Sequence, residues 1–225
     1  MAEDKIFETQ DGSHSILSYK YGVSYHSKYG AIQESLHVFI KSALHEVALA
    51  KKDIRILEIG FGTGLNALIT QYKALQHDLN IYYEGIEAYP IAIEQAHQLN
   101  FTTLLEKPEL QDFFISMHES PWEEKVQLRD NFQLKKVNSL FEDLQYKGGF
   151  DIIYFDAFAP SAQPELWEEP ILQTMYDALD ENGIFVTYCA KGVVKRRLKA
   201  VGFTVESLPG PPGKREMTRG RKNIS

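Results

Sequence analysis

The sequence feature that most constrains the fold is a short apolar strand that runs directly into a glycine-rich turn. Residues 54–59 are rich in β-branched side chains, and Gly60, Gly62 and Gly64 follow them. Glycines at such a turn allow a ligand to approach the backbone, and a helix that begins near Leu65 presents free N–H groups there. The pattern predicts a strand–turn–helix unit with a ligand at the turn.

The alternation of strand and helix continues along the chain. Strands are predicted at 81–87, 132–137, 150–156 and 184–189, and helices at 31–50, 65–76, 92–99, 165–180 and over 101–130, where Pro121 is a possible break. Repeated strand-then-helix units predict a mostly parallel α/β sheet with helices on both faces. An Asp-Gly turn at 10–14 predicts an N-terminal β-hairpin extension over 1–30, with the Rossmann-like domain at 31–225.

Composition narrows the class of protein. The 225 residues are 44% hydrophobic and 24% charged, which suits one globular domain. A single cysteine, Cys189, rules out an internal disulfide framework, and the seven histidines include no His-x-x-x-His pair, so we expect no metal site. No apolar run approaches the ~20 residues of a membrane span, and the N-terminus lacks a secretory pattern, so we expect a cytoplasmic protein without membrane contact.

The charge is unevenly distributed. Residues 191–225 contain ten Lys and Arg against two Glu, a net +8, whereas the whole chain is −7, so residues 1–190 carry −15. One interpretation is a polyanionic partner that approaches the basic edge. The other is a solvated helix face followed by a basic tail, and the charge count alone does not separate the two.

Two acidic residues bear on the ligand. Glu58 precedes the first glycine by two positions, and Glu87 stands at the end of the next strand, where a carboxylate can accept both ribose hydroxyls. The spacing is G-x-G-x-G, and Leu65 occupies the place of the last glycine of the dinucleotide fingerprint G-x-G-x-x-G. The pattern favours a nucleoside-type ligand over a purely structural turn, and S-adenosylmethionine over NAD.

A second candidate position is Asp156, which ends the strongly apolar strand 150–155. The carboxyl ends of parallel strands form the ligand crevice of this architecture, so we expect Asp156 beside the ligand of the glycine turn. The alternative is an Asp that caps the following turn, with Phe158 in the core.

Several stretches together resemble one family, the methyltransferase module of the bacterial tRNA 5-methylaminomethyl-2-thiouridine biosynthesis enzymes. The resemblance covers roughly residues 20–220. It rests on the segments 57–66, with its aromatic Phe61, 30–34 with 38–39, 87–90, 156–160 with 164–167, and 214–217. It implies a class I S-adenosylmethionine-dependent methyltransferase fold and methyl transfer to the aminomethyl nitrogen of a wobble uridine.

The resemblance to this family implies a role for each candidate site residue. Asp156 would orient the amine and accept its proton, and Phe158 would stack on the uracil. Asn138 stands where many methyltransferases place an acidic adenine ligand. We expect cofactor contacts from Glu58, Gly60, Phe61, Gly62, Thr63, Gly64, Asn66, Glu87, Asn138 and Asp156. We expect contacts with the tRNA anticodon loop from Lys191, Arg196, Arg197, Lys214 and Arg215.

Three further expectations concern partners and alternatives. In the bifunctional members of the family an FAD-dependent oxidoreductase removes a carboxymethyl group; these 225 residues leave no room for it, so we expect only the methylation step, with such an oxidoreductase as a separate partner. A small-amine methyltransferase or aminopropyltransferase stays open, although a polyamine would prefer an acidic surround. A non-catalytic RNA-binding module also stays open, and the intact set Glu58, Glu87 and Asp156 argues against it.

Overall fold

The computed structural model describes residues 4–223, and its elements follow the predicted alternation. An N-terminal hairpin pairs β1 (Lys5–Glu8) with β2 (His14–Leu17). The strands of the central sheet are β3 (Asp53–Ile59), β4 (Asn80–Ile86), β5 (Lys125–Arg129), β6 (Phe132–Val137), β7 (Phe150–Phe155), β8 (Leu179–Thr187), β9 (Thr204–Pro209) and β10 (Glu216–Arg221). The α-helices are α1 (Ala31–Ser35), α2 (His45–Ala48), α3 (Leu65–His77), α4 (Ile93–Ala96), α5 (Phe101–Leu104), α6 (Gln111–Glu119), α7 (Glu169–Ala178) and α8 (Gly192–Ala200).

The order of the strands creates a ligand crevice. The sheet runs β5-β6-β4-β3-β7-β8-β10-β9, and the five strands from β6 to β8 are parallel. β5, β9 and β10 pair antiparallel with their neighbours. From β3 the chain moves outward through β4 to β6 and then returns to β7 on the other side. In such sheets ligands bind outside the carboxyl ends of the strands at this reversal, which here lies between β3 and β7.

The side chains of β3 alternate between two apolar layers. Ile54 and Ile56 pack in the layer that contains α1, α3 and the helical stretch between α1 and α2, whereas Leu57 and Ile59 pack against α7 and α8. All four side chains are essentially buried, and the burial of each one stabilises the folded state by roughly 1.5–3 kcal/mol. Helices therefore cover both faces of the sheet, which confirms the predicted α/β class.

The predicted helix at 31–50 is present as three consecutive segments. Between α1 and α2, Leu36–Leu44 forms π-type hydrogen bonds, and its buried side chains include Phe39 and Ile40. The N-terminal hairpin contributes Ile16, which is fully buried in the same apolar layer. The proposed boundary between residues 1–30 and 31–225 stays a prediction, and residues 1–3, 224 and 225 lie outside the described residues.

Two sequence predictions need correction. The segment 101–130 is not helical to its end, because β5 at Lys125–Arg129 pairs with β6. Val126 and Leu128 alternate there with polar residues, a period of two that indicates a strand. The helix expected at 92–99 is also a single turn, α4. Within residues 4–223, none of the helices has both the length and the apolar character that crossing a membrane requires.

Candidate active site

The glycine turn has the backbone conformation that its sequence predicts. Gly60, Gly62 and Gly64 have φ angles of +89°, +50° and +72°, in the region that side chains disfavour. A Cβ on Gly60 would lie 2.8 Å from the backbone oxygen of Asp156. The Gly60 N–H also donates to the carbonyl of Ile86 at 3.0 Å, so the turn is held between the ends of β4 and β7.

Glu87 connects this turn to the end of β4. One carboxylate oxygen accepts the N–H of Gly62 and the other accepts the N–H of Tyr89, both at 2.9 Å. Glu87 is 8% exposed, and burial raises its pKa while these N–H bonds oppose the rise. An ionised carboxylate has about four acceptor positions, so each oxygen keeps capacity for a further donor such as a ribose hydroxyl.

Asn138 supports Glu87 rather than lining the cleft. Its amide donates to the backbone oxygen of Glu87 at 2.8 Å, and its own N–H donates to Glu123 at 2.8 Å. The cleft wall after β6 is formed instead by Leu140, Phe141 and Glu142. The expected direct contact between Asn138 and an adenine ring stays a prediction, and Leu140 and Phe141, two and three positions further along, are further candidates for it.

Asp156 lies at the wall of the cleft, immediately after β7. Its N–H donates to Ile59 at 2.9 Å, which places the residue next to the glycine turn. Burial and the nearby carboxylate of Glu34 raise the pKa of Asp156 to about 7, against the opposing effects of Asn66 and Lys214. A carboxyl group with this pKa exchanges a proton near neutral pH, as a general base must.

Glu58 lies behind the cleft, which corrects its expected contact with a cationic ligand. The residue is completely buried and is not part of the cleft wall. One oxygen accepts the amide of Asn66 at 2.7 Å, and within residues 4–223 the other oxygen has no hydrogen-bond partner. Burial raises the pKa of Glu58 well above its usual range, so the neutral carboxyl is favoured.

Asn66, at the start of α3, joins these two carboxyl groups. Its amide nitrogen donates to Glu58 at 2.7 Å and to Asp156 at 2.9 Å, and its oxygen accepts the hydroxyl of Ser35 at 2.5 Å. The two carboxyl groups fix the orientation of the amide, because only its nitrogen can donate to them, and its oxygen is left to accept the Ser35 hydroxyl. Asn66 therefore holds one oxygen of Asp156, a residue of the cleft wall, and does not bind the other.

Residues before α1 also line the cleft, which the sequence did not indicate. Tyr21, Tyr25 and His26 contribute to its wall, and the His26 ring bonds to the Thr63 hydroxyl at 2.7 Å. Phe158 packs against Tyr21 and Tyr25, with ring centroids 5.1 and 5.2 Å apart. The predicted residues Phe158 and Thr63 are thus in the cleft, within an aromatic wall that a tyrosine-rich N-terminal segment supplies.

The turn residue Phe61 is mainly a packing residue. It is 4% exposed, and its ring lies against Gly85, where a Cβ would overlap it. It also packs edge-on against His118, with centroids 5.9 Å apart. Phe61 still contributes to the cleft wall, where the sequence predicted it. Its packing against Gly85 and His118 holds the turn in place.

Much of the basic C-terminal edge is paired within the protein. Lys195 binds Glu216 and Arg197 binds Glu168, each at 2.7 Å, and Lys214 binds Glu34. Arg219 and Arg221 pair with Glu46 and Glu206, and Lys222 donates to backbone carbonyls. The charge count therefore overstated the free positive charge, and Arg197 and Lys214 are not the unpaired cations that the sequence suggested.

Four cations of this edge are exposed and form no ion pair within the described part of the chain. They are Lys191, Arg196, Lys199 and Arg215. Three of them belong to α8 or the residue before it. Three of these four cations, Lys191, Arg196 and Arg215, are among the residues that the sequence analysis expected to contact RNA.

The cleft suits the parts of S-adenosylmethionine. Its wall combines polar side chains with apolar and aromatic ones, as small-molecule sites commonly do. Glu87 offers acceptors for ribose hydroxyls, Leu140 and Phe141 offer apolar contacts to a base, and the turn before α3 is open to a ligand's polar end. In residues 4–223 we find no group of three or more His, Cys, Asp or Glu side chains suited to a metal ion.

Sequence comparisons agree with this assignment. The family described as S-adenosyl-L-methionine-dependent methyltransferase matches residues 108–223. The tRNA 5-methylaminomethyl-2-thiouridine biosynthesis bifunctional protein MnmC is 30% identical over 232 residues in Burkholderia mallei (strain SAVP1) and 32% over 229 residues in Burkholderia thailandensis. Both matches cover 94% of this chain and 34% of the relative, so the chain spans about a third of their length.

Solved structures give the same result. MnmC2 from Aquifex aeolicus superposes with a TM-score of 0.79 at 25% identity, covering 100% of this chain and 73% of that one. Spermidine synthase from Thermotoga maritima, at 17% identity and a TM-score of 0.58, covers 99% of this chain and 73% of its own and shares the fold. The resemblance that the sequence predicted is confirmed. The chain belongs to the S-adenosyl-L-methionine-dependent methyltransferase family and is an enzyme of that class, with S-adenosylmethionine as its cofactor.

Proposed function

We propose that this enzyme methylates the aminomethyl nitrogen of 5-aminomethyl-2-thiouridine at the tRNA wobble position. The observation that carries the proposal is Asp156, a carboxyl group with a pKa of about 7 beside the nucleoside cleft and two residues from Phe158. Relatives named for tRNA 5-methylaminomethyl-2-thiouridine biosynthesis support this substrate, as does the similarity to MnmC2.

Asp156 suits an amine substrate for a chemical reason. An alkylamine is mostly protonated at neutral pH, as a lysine side chain is, and its nitrogen is a nucleophile only when its lone pair is free. When bound, S-adenosylmethionine supplies an electrophilic methyl group. The free oxygen of Asp156 would hold the ammonium, accept its proton and keep the nitrogen in place.

The aromatic wall suits the base that carries the amine. Single-stranded bases recognised by proteins are commonly splayed out and stacked on aromatic side chains. Phe158 is partly exposed to the cleft while Tyr21 and Tyr25 support its ring. Phe158 would therefore stack on the uracil and present the 5-substituent towards Asp156.

We propose that the tRNA anticodon loop binds beside α8. The exposed cations Lys191, Arg196 and Arg215 lie at this edge, whereas the chain as a whole has a net charge of −7. Phosphate contacts from these residues would give binding a strong salt dependence, and the acidic surface elsewhere would restrict how the RNA can approach.

A second candidate function is methyl transfer to a small polyamine. Four acidic side chains line the cleft, Glu87, Glu142, Asp156 and Glu165, and an acidic surround suits a polycation. The fold shared with spermidine synthase is compatible with this alternative but shows the fold alone. A non-catalytic RNA-binding module has no such support, since the cleft keeps its acceptors and its acidic group.

The experiment that separates these functions is methyl transfer with isotope-labelled S-adenosylmethionine. The protein is incubated with tRNA that contains 5-aminomethyl-2-thiouridine, with tRNA that contains 2-thiouridine only, and with putrescine. The proposal expects label in 5-methylaminomethyl-2-thiouridine after nucleoside digestion and none in the other two. Label in putrescine alone would support the second candidate and overturn the first.

The aminomethyl group must itself come from another reaction. We propose a separate FAD-dependent oxidoreductase as the partner that produces the free amine by removing an N-carboxymethyl group. The expected outcome is that tRNA with the carboxymethylated amine accepts label only after such an oxidoreductase has acted. Labelling of the carboxymethylated form without it would contradict this partnership.

A further inference from the structure

A continuous row of aromatic rings leads from the cleft to its rim. Phe158 is 5.1 Å from Tyr21 between ring centroids, and Tyr21 is 6.1 Å from Tyr89 in an edge arrangement. Phe158 and Tyr21 are partly buried, whereas Tyr89 is 45% exposed. Three separate segments supply these rings, since Phe158 follows β7, Tyr21 follows the N-terminal hairpin and Tyr89 follows β4.

A cation completes the outer end of this row. The ammonium of Lys20 lies 3.0 Å from the centroid of the Tyr89 ring and 5.2 Å from that of Tyr21. Lys20 is exposed and lies on the N-terminal side of the cleft, apart from the cations of α8. The exposed ring of Tyr89 and the partly exposed ring of Tyr21, beside a positive charge, match a nucleotide, which combines a flat base with a negatively charged phosphate.

We propose that Tyr21 and Tyr89, with Lys20, bind an unpaired base next to the target uridine in single-stranded RNA. The inference rests on the proposed function and extends it from the modified nucleoside to its neighbour in the loop. The base would stack on the exposed rings while Lys20 contacts its phosphate. Because every base has a π-face, this surface would accept different neighbouring bases.

The rings and the cation should have different binding signatures. Loss of a stacking ring weakens binding equally at low and high salt, whereas loss of a phosphate contact also reduces the salt dependence. We therefore compare Tyr21→Leu, Tyr89→Leu and Lys20→Met. Tyr21→Phe is added because it keeps the aromatic ring and removes only the hydroxyl. Tyr19→Leu is the matched control, because Tyr19 is 67% exposed and its ring forms no aromatic pair with the row within residues 4–223.

The measurement is affinity for an anticodon stem-loop over a range of salt concentrations, with calorimetry of S-adenosylmethionine binding alongside. We expect Tyr21→Leu and Tyr89→Leu each to weaken stem-loop binding about tenfold with an unchanged salt slope. Lys20→Met should lower the slope by about one. Tyr21→Phe and Tyr19→Leu should bind the stem-loop like the wild type, and Lys20→Met should leave cofactor affinity unchanged.

Several outcomes would overturn the inference. Wild-type stem-loop affinity in both leucine variants would do so, and so would an equal loss in Tyr19→Leu. A loss of cofactor affinity in Tyr89→Leu would assign that ring to the cofactor instead. Failure of the proposed function is a separate result: the wild type would then bind the loop through these rings without methylating the aminomethyl nucleoside.

Discussion

Asn66 donates its side-chain amide to Asp156 across 2.9 Å, and the same amide group also donates to the buried Glu58. The carboxyl group of Asp156 is therefore oriented by a neutral hydrogen-bond donor. Burial and the carboxylate of Glu34 raise the pKa of Asp156 to about 7, and the hydrogen bond from Asn66 and the charge of Lys214 only partly oppose that rise.

Replacement of Asn66 should change the pH dependence of the reaction. The hydrogen bond from Asn66 lowers the pKa of Asp156, so its loss in Asn66→Ala should raise that pKa above about 7. Because the ionised carboxylate is the base, the acidic limb of the single-turnover rate profile should move to higher pH. Ser35→Thr keeps the hydroxyl and serves as the control, and an unmoved limb in Asn66→Ala would contradict this role.

Glu87 should determine cofactor affinity. Glu87→Ala removes the acceptor for ribose hydroxyls and the bonds to Gly62 and Tyr89, so binding of S-adenosylmethionine should weaken by roughly 1–3 kcal/mol. Calorimetry measures this directly. Glu94→Ala is the control: it removes an exposed carboxylate on α4, and this variant should bind S-adenosylmethionine like the wild type. Equal affinity in the two variants would exclude Glu87 from the cofactor site.

The two adjacent arginines of α8 should behave differently. Arg196 is exposed and without an ion pair among residues 4–223, whereas Arg197 binds Glu168 at 2.7 Å. Arg196→Gln should therefore reduce the salt slope of tRNA binding by about one, and Arg197→Gln should change it less. Identical slopes in wild type and Arg196→Gln would show that α8 is a solvated face.

Partly buried histidines should make the protein sensitive to acid. Burial lowers the pKa of His118 to about 4 from an ordinary 6.5, so between these values the unfolded chain binds the proton and the folded chain does not. Stability should therefore fall as pH drops from 6.5 to 4, by on the order of 1–3 kcal/mol for this group. Denaturant unfolding of His118→Gln should show a smaller loss over that range; an equal loss would exclude His118 as a cause.

Local patterns predicted the central part of the site. The turn Gly60–Gly64 and the acidic residue after β7 carry their signals within a few neighbouring residues, since strand direction and glycine spacing fix where they lie. The burial of Glu58 was also readable: it shares its face of β3 with Ile54 and Ile56, so a period of two places it under a helix.

Other parts depend on contacts that the sequence does not encode locally. Tyr21 and Tyr25 reach the cleft only because the N-terminal segment folds back over the glycine turn, where the Tyr25 ring lies against Gly62. Ion pairing is similarly non-local, since Lys214 meets Glu34 from the opposite end of the chain. A count of charges therefore could not separate free cations from paired ones.

The central claim is that Asp156 acts on an amine carried by tRNA. Asp156→Asn keeps the shape of the side chain but removes its charge and its capacity to accept a proton. The direct test is single-turnover methylation of tRNA bearing 5-aminomethyl-2-thiouridine, with cofactor binding measured in parallel. We predict a rate reduced by about 100-fold or more with S-adenosylmethionine affinity retained. A rate within about threefold of the wild type, well short of the general-base range, would contradict the account.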